Sequence, residues 1–205
     1  MSIKEQIIRD LKLSEKRLKH TFGVAKCARE LALRHYPHLS ADKMEIAALL
    51  HDFTKEYSLD EQKALCEKYN IYISPDEALS PKLYHAKTAA AIAKYVYGLD
   101  KEIESAIYYH TTGRAGMTDA EEVLYFADYI EENRTDKACV DVRNYYLAQL
   151  SAEKDPIVAL KKGILYSLDT TIKYLIEEGQ YICASTIEAR NHFIKYLSHT
   201  KGTGI

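Results

Sequence analysis

Apolar residues recur every three to four positions along most of this chain, the period of a helix with one buried face. The spacing predicts a short helix over residues 3–11 and a long one over 14–36, which Pro37 ends. Ser40 can cap a third helix that closes on His51-Asp52, and residues 60–69 make a fourth. Ser74-Pro75 and Ser80-Pro81 then punctuate a stretch that reads as more loop than helix. Helices over 84–97, stopped by Gly98, and over 100–110 follow. Thr118 with Glu121 forms a capping box for a helix to about Glu131. Asp155-Pro156 opens a helix ending near Gly179, and Ser185 with Glu188 opens the last, to about Leu197. No two-residue alternation of useful length and no internal repeat is present, so the fold is expected to be all-α.

At 205 residues, 47% of them hydrophobic, the chain suits one folded domain. We expect a single helical domain over residues 1–198, with its chemistry within 14–135, helices in 155–198 packing on it, and a flexible tail over 199–205. A net charge of −2 argues against a general nucleic-acid surface, so any polyanion site must be a local cluster of Lys and Arg. The four cysteines, Cys27, Cys66, Cys139 and Cys183, are far apart and form no CxxC pair, which fits buried thiols in a reducing compartment. The N-terminus turns charged at once, and no apolar run approaches the roughly 20 residues that span a bilayer. A cytoplasmic location and no membrane association are the expectation.

His51-Asp52 changes the picture from fold to chemistry. It closes the apolar stretch Met44-Glu45-Ile46-Ala47-Ala48-Leu49-Leu50, with His20 upstream and His85, His110 and Asp128 downstream on separate predicted helices. Asp128 lies within Val123-Leu124-Tyr125-Phe126-Ala127-Asp128-Tyr129-Ile130, where burying a carboxylate is costly unless a cation or hydrogen bonds compensate it. Neighbouring helix positions point about 100° apart, so His51 and Asp52 converge only if the helix ends or bends there. Such nitrogen and oxygen donors suit a divalent ion with positions left open for water. Buried caps or salt bridges are the alternative for Asp52 and Asp128. His35 and His38, beside Pro37 where solvated imidazoles are common, and His192 and His199, near the C-terminus, read as ordinary histidines.

The blocks Arg17-Leu18-Lys19-His20-Thr21-Phe22-Gly23-Val24, Ala47 to Lys55 with His51-Asp52, Tyr84-His85-Ala86, Tyr109 to Thr118 and Tyr125 to Glu131 stand in an order that resembles the HD-domain metal phosphohydrolase superfamily. The match is closer to its bacterial YqeK-like branch, the symmetrical bis(5′-nucleosyl)-tetraphosphate hydrolases. The resemblance implies an HD-type helical bundle. It also implies an iron site held by His20, His51, Asp52 and Asp128, with His85 and His110 approaching the substrate phosphates. Manganese or cobalt suits the same donors, and some members of the superfamily use the extra histidines for a second metal. His51, Asp52, His85 and His110 are then the catalytic set. Cations recur beside these blocks: Arg17 one turn before His20, Lys55 after the pair, Arg114 in the loop after His110, and Arg134 beyond Asp128. Together with Thr111, Thr112 and Gly113, a candidate phosphate cradle, they form the expected substrate site. The expected reaction splits diadenosine tetraphosphate into two nucleoside diphosphates by a metal-activated water. The alternatives are another nucleotide phosphohydrolase (a nucleotidase or phosphodiesterase) on the same site, and a nucleotide-binding regulatory module without turnover. The tyrosines at 145–146 and from 166 to 181 suit either a core or a homodimer interface.

Overall fold

The computed structural model describes residues 2–200 of the chain, Thr200 as backbone only, and every regular element among them is helical. They are α1 (Ile3–Asp10), α2 (Glu15–His35), α3 (Ala41–Leu50), α4 (Leu59–Lys68), α5 (Pro75–Ala78), a 3-10 turn (Pro81–Leu83), α6 (Tyr84–Tyr95), α7 (Lys101–Tyr109), α8 (Asp119–Ile130), α9 (Lys137–Ala152), α10 (Pro156–Glu177) and α11 (Ala184–Thr200). Capping explains most boundaries. Ser14, Ser40, Ser58, Asp100 and Thr118 each accept a backbone N–H in the first turn of their helix, and Asp155 does so before Pro156. Gly98, at φ +63°, lets the chain turn back after α6, as its position in the sequence led one to expect.

Helices α2, α3, α7 and α8 form the centre, α6 lies against α7 and α3, and α10 joins α8 to α9 and α11. The core runs through Val24, Met44, Leu49, Leu50, Ile107, Leu124 and Phe126 to Leu160 and Ile164 of α10, so the C-terminal helices share the core of those that carry His20, His51 and Asp128. Residues 84–93 of α6 are buried on every face, and the alanines at 86, 89, 90, 91 and 93 let its neighbours approach closely. A buried polar knot also joins the halves: Glu122 of α8 accepts from Tyr36 Oη at 2.6 Å and Lys161 Nζ of α10 at 2.5 Å.

Five local expectations need correction. Residues 137–152, which no sequence signal marked, form a full helix, because Cys139, Val142 and Tyr146 are buried and Leu150 packs on the core, while the rest of α9, Leu147 included, is half-buried or exposed. Ser74 and Glu77 form a capping box that turns part of the supposed loop into one helical turn. Ser185 is not a cap: α11 has already begun at Ala184, and the Ser185 hydroxyl donates to Cys183 Sγ. His35 is buried rather than solvated, and its Nε2 lies 2.6 Å from Tyr146 Oη. The last helix extends to Thr200, so the supposed tail begins no earlier than residue 201 and lies outside the described residues. All four cysteines are free thiols, and burial pushes Cys27 up to about 12.

Candidate metal centre

The chain solves the convergence of His51 and Asp52 by ending α3 at Leu50. Three tight turns follow, with Phe53, Lys55 and Tyr57 donating backbone N–H to Leu50, Asp52 and Thr54. Thr54 anchors this segment, donating to the His85 carbonyl at 3.1 Å and lying 2.7 Å from the Thr88 hydroxyl. Gln62 of α4 closes the network, with its amide on the Thr54 carbonyl and its oxygen accepting from Thr88. The HD turn, α4 and α6 are thereby one rigid unit.

Each histidine of the centre is oriented by its far nitrogen. Nδ1 of His51 donates to the Ala48 carbonyl at 2.6 Å, His85 to Lys82 at 2.6 Å and His110 to Ile107 at 2.7 Å. Nδ1 of His20 faces the Glu131 carboxylate at 3.2 Å. A carbonyl only accepts, so in His51, His85 and His110 the proton sits on Nδ1 and Nε2 presents its lone pair, the arrangement found around metal-ligating imidazoles, while His20 is oriented by its carboxylate. The four Nε2 atoms face two carboxylates. His20 lies 3.0 Å from Asp128 Oδ1 and 3.8 Å from Asp52 Oδ2. His51 lies 3.5 Å from Asp52 Oδ2 and 3.8 Å from Asp128 Oδ1. His85 and His110 lie 3.1 and 3.8 Å from Asp52 Oδ1, and 3.2 Å from each other.

These donors fit a metal. His20 Nε2, His51 Nε2 and Asp52 Oδ1 are buried without a hydrogen bond, a costly arrangement unless a cation draws on the same lone pairs. Three overlapping groups bring one donor per residue within 4.8 Å of one another: His20–His51–Asp52, His51–His110–Asp128 and Asp52–His85–His110. The facing lone pairs of His85 and His110 likewise call for a cation or a proton donor between them.

The electrostatics support this reading. Burial alone would raise the Asp52 carboxyl, but the surrounding imidazoles hold it well below the usual carboxylate range. Asp128 is likewise held low against burial, by Arg134 and His20. Burial lowers His110 and brings His85 down to about 4, which favours the neutral, ligating form of both. His20 differs: burial works against its charge, yet its Asp128 and Glu131 neighbours raise it, so metal binding there would have to displace a proton.

The expected cations gather unevenly. Arg17 reaches Asp52 Oδ2 at 2.7 Å, Arg134 reaches Asp128 Oδ1 at 2.8 Å, and Lys55 Nζ lies 3.1 Å from His85 Nε2. The loop after His110 stands apart. Thr111 and Thr112 line a separate cleft of about 310 Å3 with Tyr72, Tyr109 and Tyr181, to which none of the six metal-centre residues contributes. Gly113, at φ +62°, packs against Met117 and Ala189, and Arg114 pairs with the buried Glu121 at 2.9 Å.

Sequence reasoning missed the supports of the centre. Glu131 was visible in its motif but carried no assigned role. Arg143, from the unforeseen α9, donates to the carbonyls of Ile130, Glu131 and Arg134, capping α8 and clasping the turn that carries the partners of His20 and Asp128. A helix-end carbonyl cap by a residue 9–13 positions downstream leaves no local signal.

Comparison with known proteins agrees with the geometry. The HD domain family matches residues 17–133. The symmetrical bis(5′-nucleosyl)-tetraphosphatase of Bacillus subtilis is 35% identical over 89% of this chain and 91% of its own. That of Staphylococcus aureus is 34% identical over 89% of each. A solved structure from Clostridium acetobutylicum, described as a predicted HD superfamily hydrolase involved in NAD metabolism, superposes with a TM-score of 0.82 at 33% identity, covering 94% of this chain and 97% of that one. With the matched segment spanning every residue of the metal centre, this chain belongs to the HD domain family.

Proposed function

We propose that this chain hydrolyses dinucleoside tetraphosphates, diadenosine tetraphosphate among them, at the central bridge to release two nucleoside diphosphates. The observation that carries the proposal is the convergence of four oriented imidazoles and two carboxylates, with three of their donor atoms buried and unpaired. His20, His51, Asp52 and Asp128 would hold a divalent ion, iron in our reading, with Asp52, His85 and His110 able to hold a second. Such an ion supplies Lewis acidity toward a phosphoryl oxygen and lowers the pKa of water to near neutrality. The residues around it do the rest. Where they hold no second ion, His85 and His110, with Nδ1 tied to carbonyls, offer Nε2 as the acceptor for a proton leaving the attacking water. Arg17, Lys55 and Arg134 neutralise the polyphosphate on its approach and keep the two carboxylates ionised meanwhile. No helix among the described residues is long and apolar enough to cross a membrane.

Incubating the metal-loaded protein with diadenosine tetraphosphate and separating mono-, di- and triphosphates tests the proposal. ADP as the sole product is expected. AMP with ATP would show asymmetric cleavage, and no turnover with iron, manganese or cobalt would overturn the proposed reaction.

A further inference from the structure

The two oxygens of the Asp52 carboxylate face different surroundings. Oδ2 meets Arg17 at 2.7 Å, His51 at 3.5 Å and His20 at 3.8 Å. Oδ1 meets His85 at 3.1 Å, Lys55 at 3.7 Å and His110 at 3.8 Å. Two members of each set border a cleft of their own, while His51 and His110 lie deeper. Arg17 and His20 line one of about 400 Å3, together with Lys16, Lys19, Asn133 and Arg134. Lys55 and His85 line another of about 230 Å3, together with Tyr57, Leu59, Pro81 and Lys82. The two share no lining residue, and the turn between them is the ridge: Glu56 faces the first cleft, Lys55 and Tyr57 the second.

We propose that the metal centre sits between two nucleotide seats, each taking one half of a dinucleoside polyphosphate, so that the central phosphoryl groups lie across Asp52. This rests on the function proposed above. Ligand pockets run to roughly 300–1,000 Å3, so the smaller cleft suits one nucleoside and not the whole substrate. The chemistry of the clefts agrees. In the first, four cations (Lys16, Arg17, Lys19, Arg134) face three acids (Glu56, Glu131, Asp136), of which Glu56 and Glu131 are already engaged by Ser14 and His20. In the second, Lys55 and Lys82 are the cations and no acid lines the wall. Lys82 also positions His85 through its carbonyl, while its ammonium lies 3.3 Å from Gln180 on the exposed surface.

The seats are not equivalent. The second has an apolar wall of Tyr57, Leu59 and Pro81 against which a base can stack, whereas no Tyr or Phe lines the first, whose one ring, His20, is engaged at the metal centre. The base is therefore read in the Tyr57 seat, and the other seat holds its half by phosphate and hydroxyl contacts.

Calorimetric titration of the metal-loaded protein with ADP tests this. Two ADP per chain with unequal affinity are expected. Tyr57→Ala and Lys82→Ala should each weaken one of them about tenfold, with Tyr57→Phe restoring the stacking, and Lys19→Ala should weaken the other. Lys19 and Lys82 are exposed, so their variants keep the fold. One ADP per chain, or both affinities unchanged in Tyr57→Ala and Lys82→Ala, overturns the two-seat arrangement even while the wild type still yields ADP from diadenosine tetraphosphate. A wild type that binds two ADP yet cleaves no tetraphosphate refutes the proposed reaction and leaves the seats standing.

Discussion

Gly23→Ala separates what helix propensity says from what the tertiary structure demands. Gly23 lies inside α2, where Ala should be more stable than Gly by about 1 kcal/mol. The structure opposes it. A Cβ built on Gly23 would stand 2.1 Å from Glu131 Oε2 and 2.6 Å from Asn133 Nδ2. Glu131 is 1% exposed and cannot swing into solvent freely, because Oε2 also accepts from the Asn133 backbone N–H at 2.7 Å. Overpacking of this kind costs about 1–3 kcal/mol, which offsets or exceeds the helix gain. The sharper loss is at the metal: displacing Glu131 frees Nδ1 of His20, and loss of such an outer partner lowers metal affinity roughly 10- to 100-fold. Competition for manganese(II) with a fluorescent chelator measures that affinity, and thermal melts of the metal-free protein measure the packing cost. Because the methyl acts through Glu131, Gly23→Ala should cost metal affinity in the wild type but almost nothing more in a Glu131→Ala background. A variant with raised Tm and unchanged metal affinity would refute the reasoning.

Three further outcomes are expected. Asp52→Asn should remove bound metal and abolish turnover; a variant that stays loaded and active would sink the assignment of Asp52. Arg143→Ala leaves up to three carbonyls without their donor, at about 1–3 kcal/mol for each one that water cannot reach; Tm should fall by several degrees and metal affinity with it, whereas a purely structural role would lower Tm alone. His35 has its pKa lowered by burial, and by Arg34, from 6.5 to about 4. The unfolded chain therefore binds the proton first, so stability is full above about pH 6.5 and is lost as pH falls toward 4, by up to about 3 kcal/mol. Urea melts from pH 4 to 7 should show His35→Gln less acid-sensitive than the wild type, and identical slopes would refute this.

Much of the fold was legible because its signals are local. Capping residues, prolines and Gly98 act within one turn of the boundary they set, and most predicted boundaries fall within about two residues of those observed. The helix α9 escaped because its apolar stripe is narrow and Asp136 makes no side-chain capping bond, so packing on the core is what stabilises it. The site divides in the same way. His20, His51-Asp52, His85, His110 and Asp128 are marked by residue type and order, since a polar group beside apolar neighbours advertises a compensating partner. Their supports are ordinary residues. Nothing in the sequence says that Gly23 leaves room for Glu131, that Gln62 and Thr88 lock the HD turn to α6, or that Arg143 clasps the end of α8.

Residue order by itself therefore determined an all-helical chain carrying the donors for a metal centre and cations beside each of them. Only the tertiary structure decided where those cations point. It turned Arg17, Lys55 and Arg134 toward the two carboxylates and Arg114 away, onto Glu121. It also divided the space around Asp52 into two clefts. The physical reason is that capping and helix periodicity act within one helix, whereas the direction of a long charged side chain depends on where the fold buries a carboxylate. That carboxylate can be 35 positions away, as Asp52 is from Arg17, or around the turn at a helix end, as Asp128 is from Arg134.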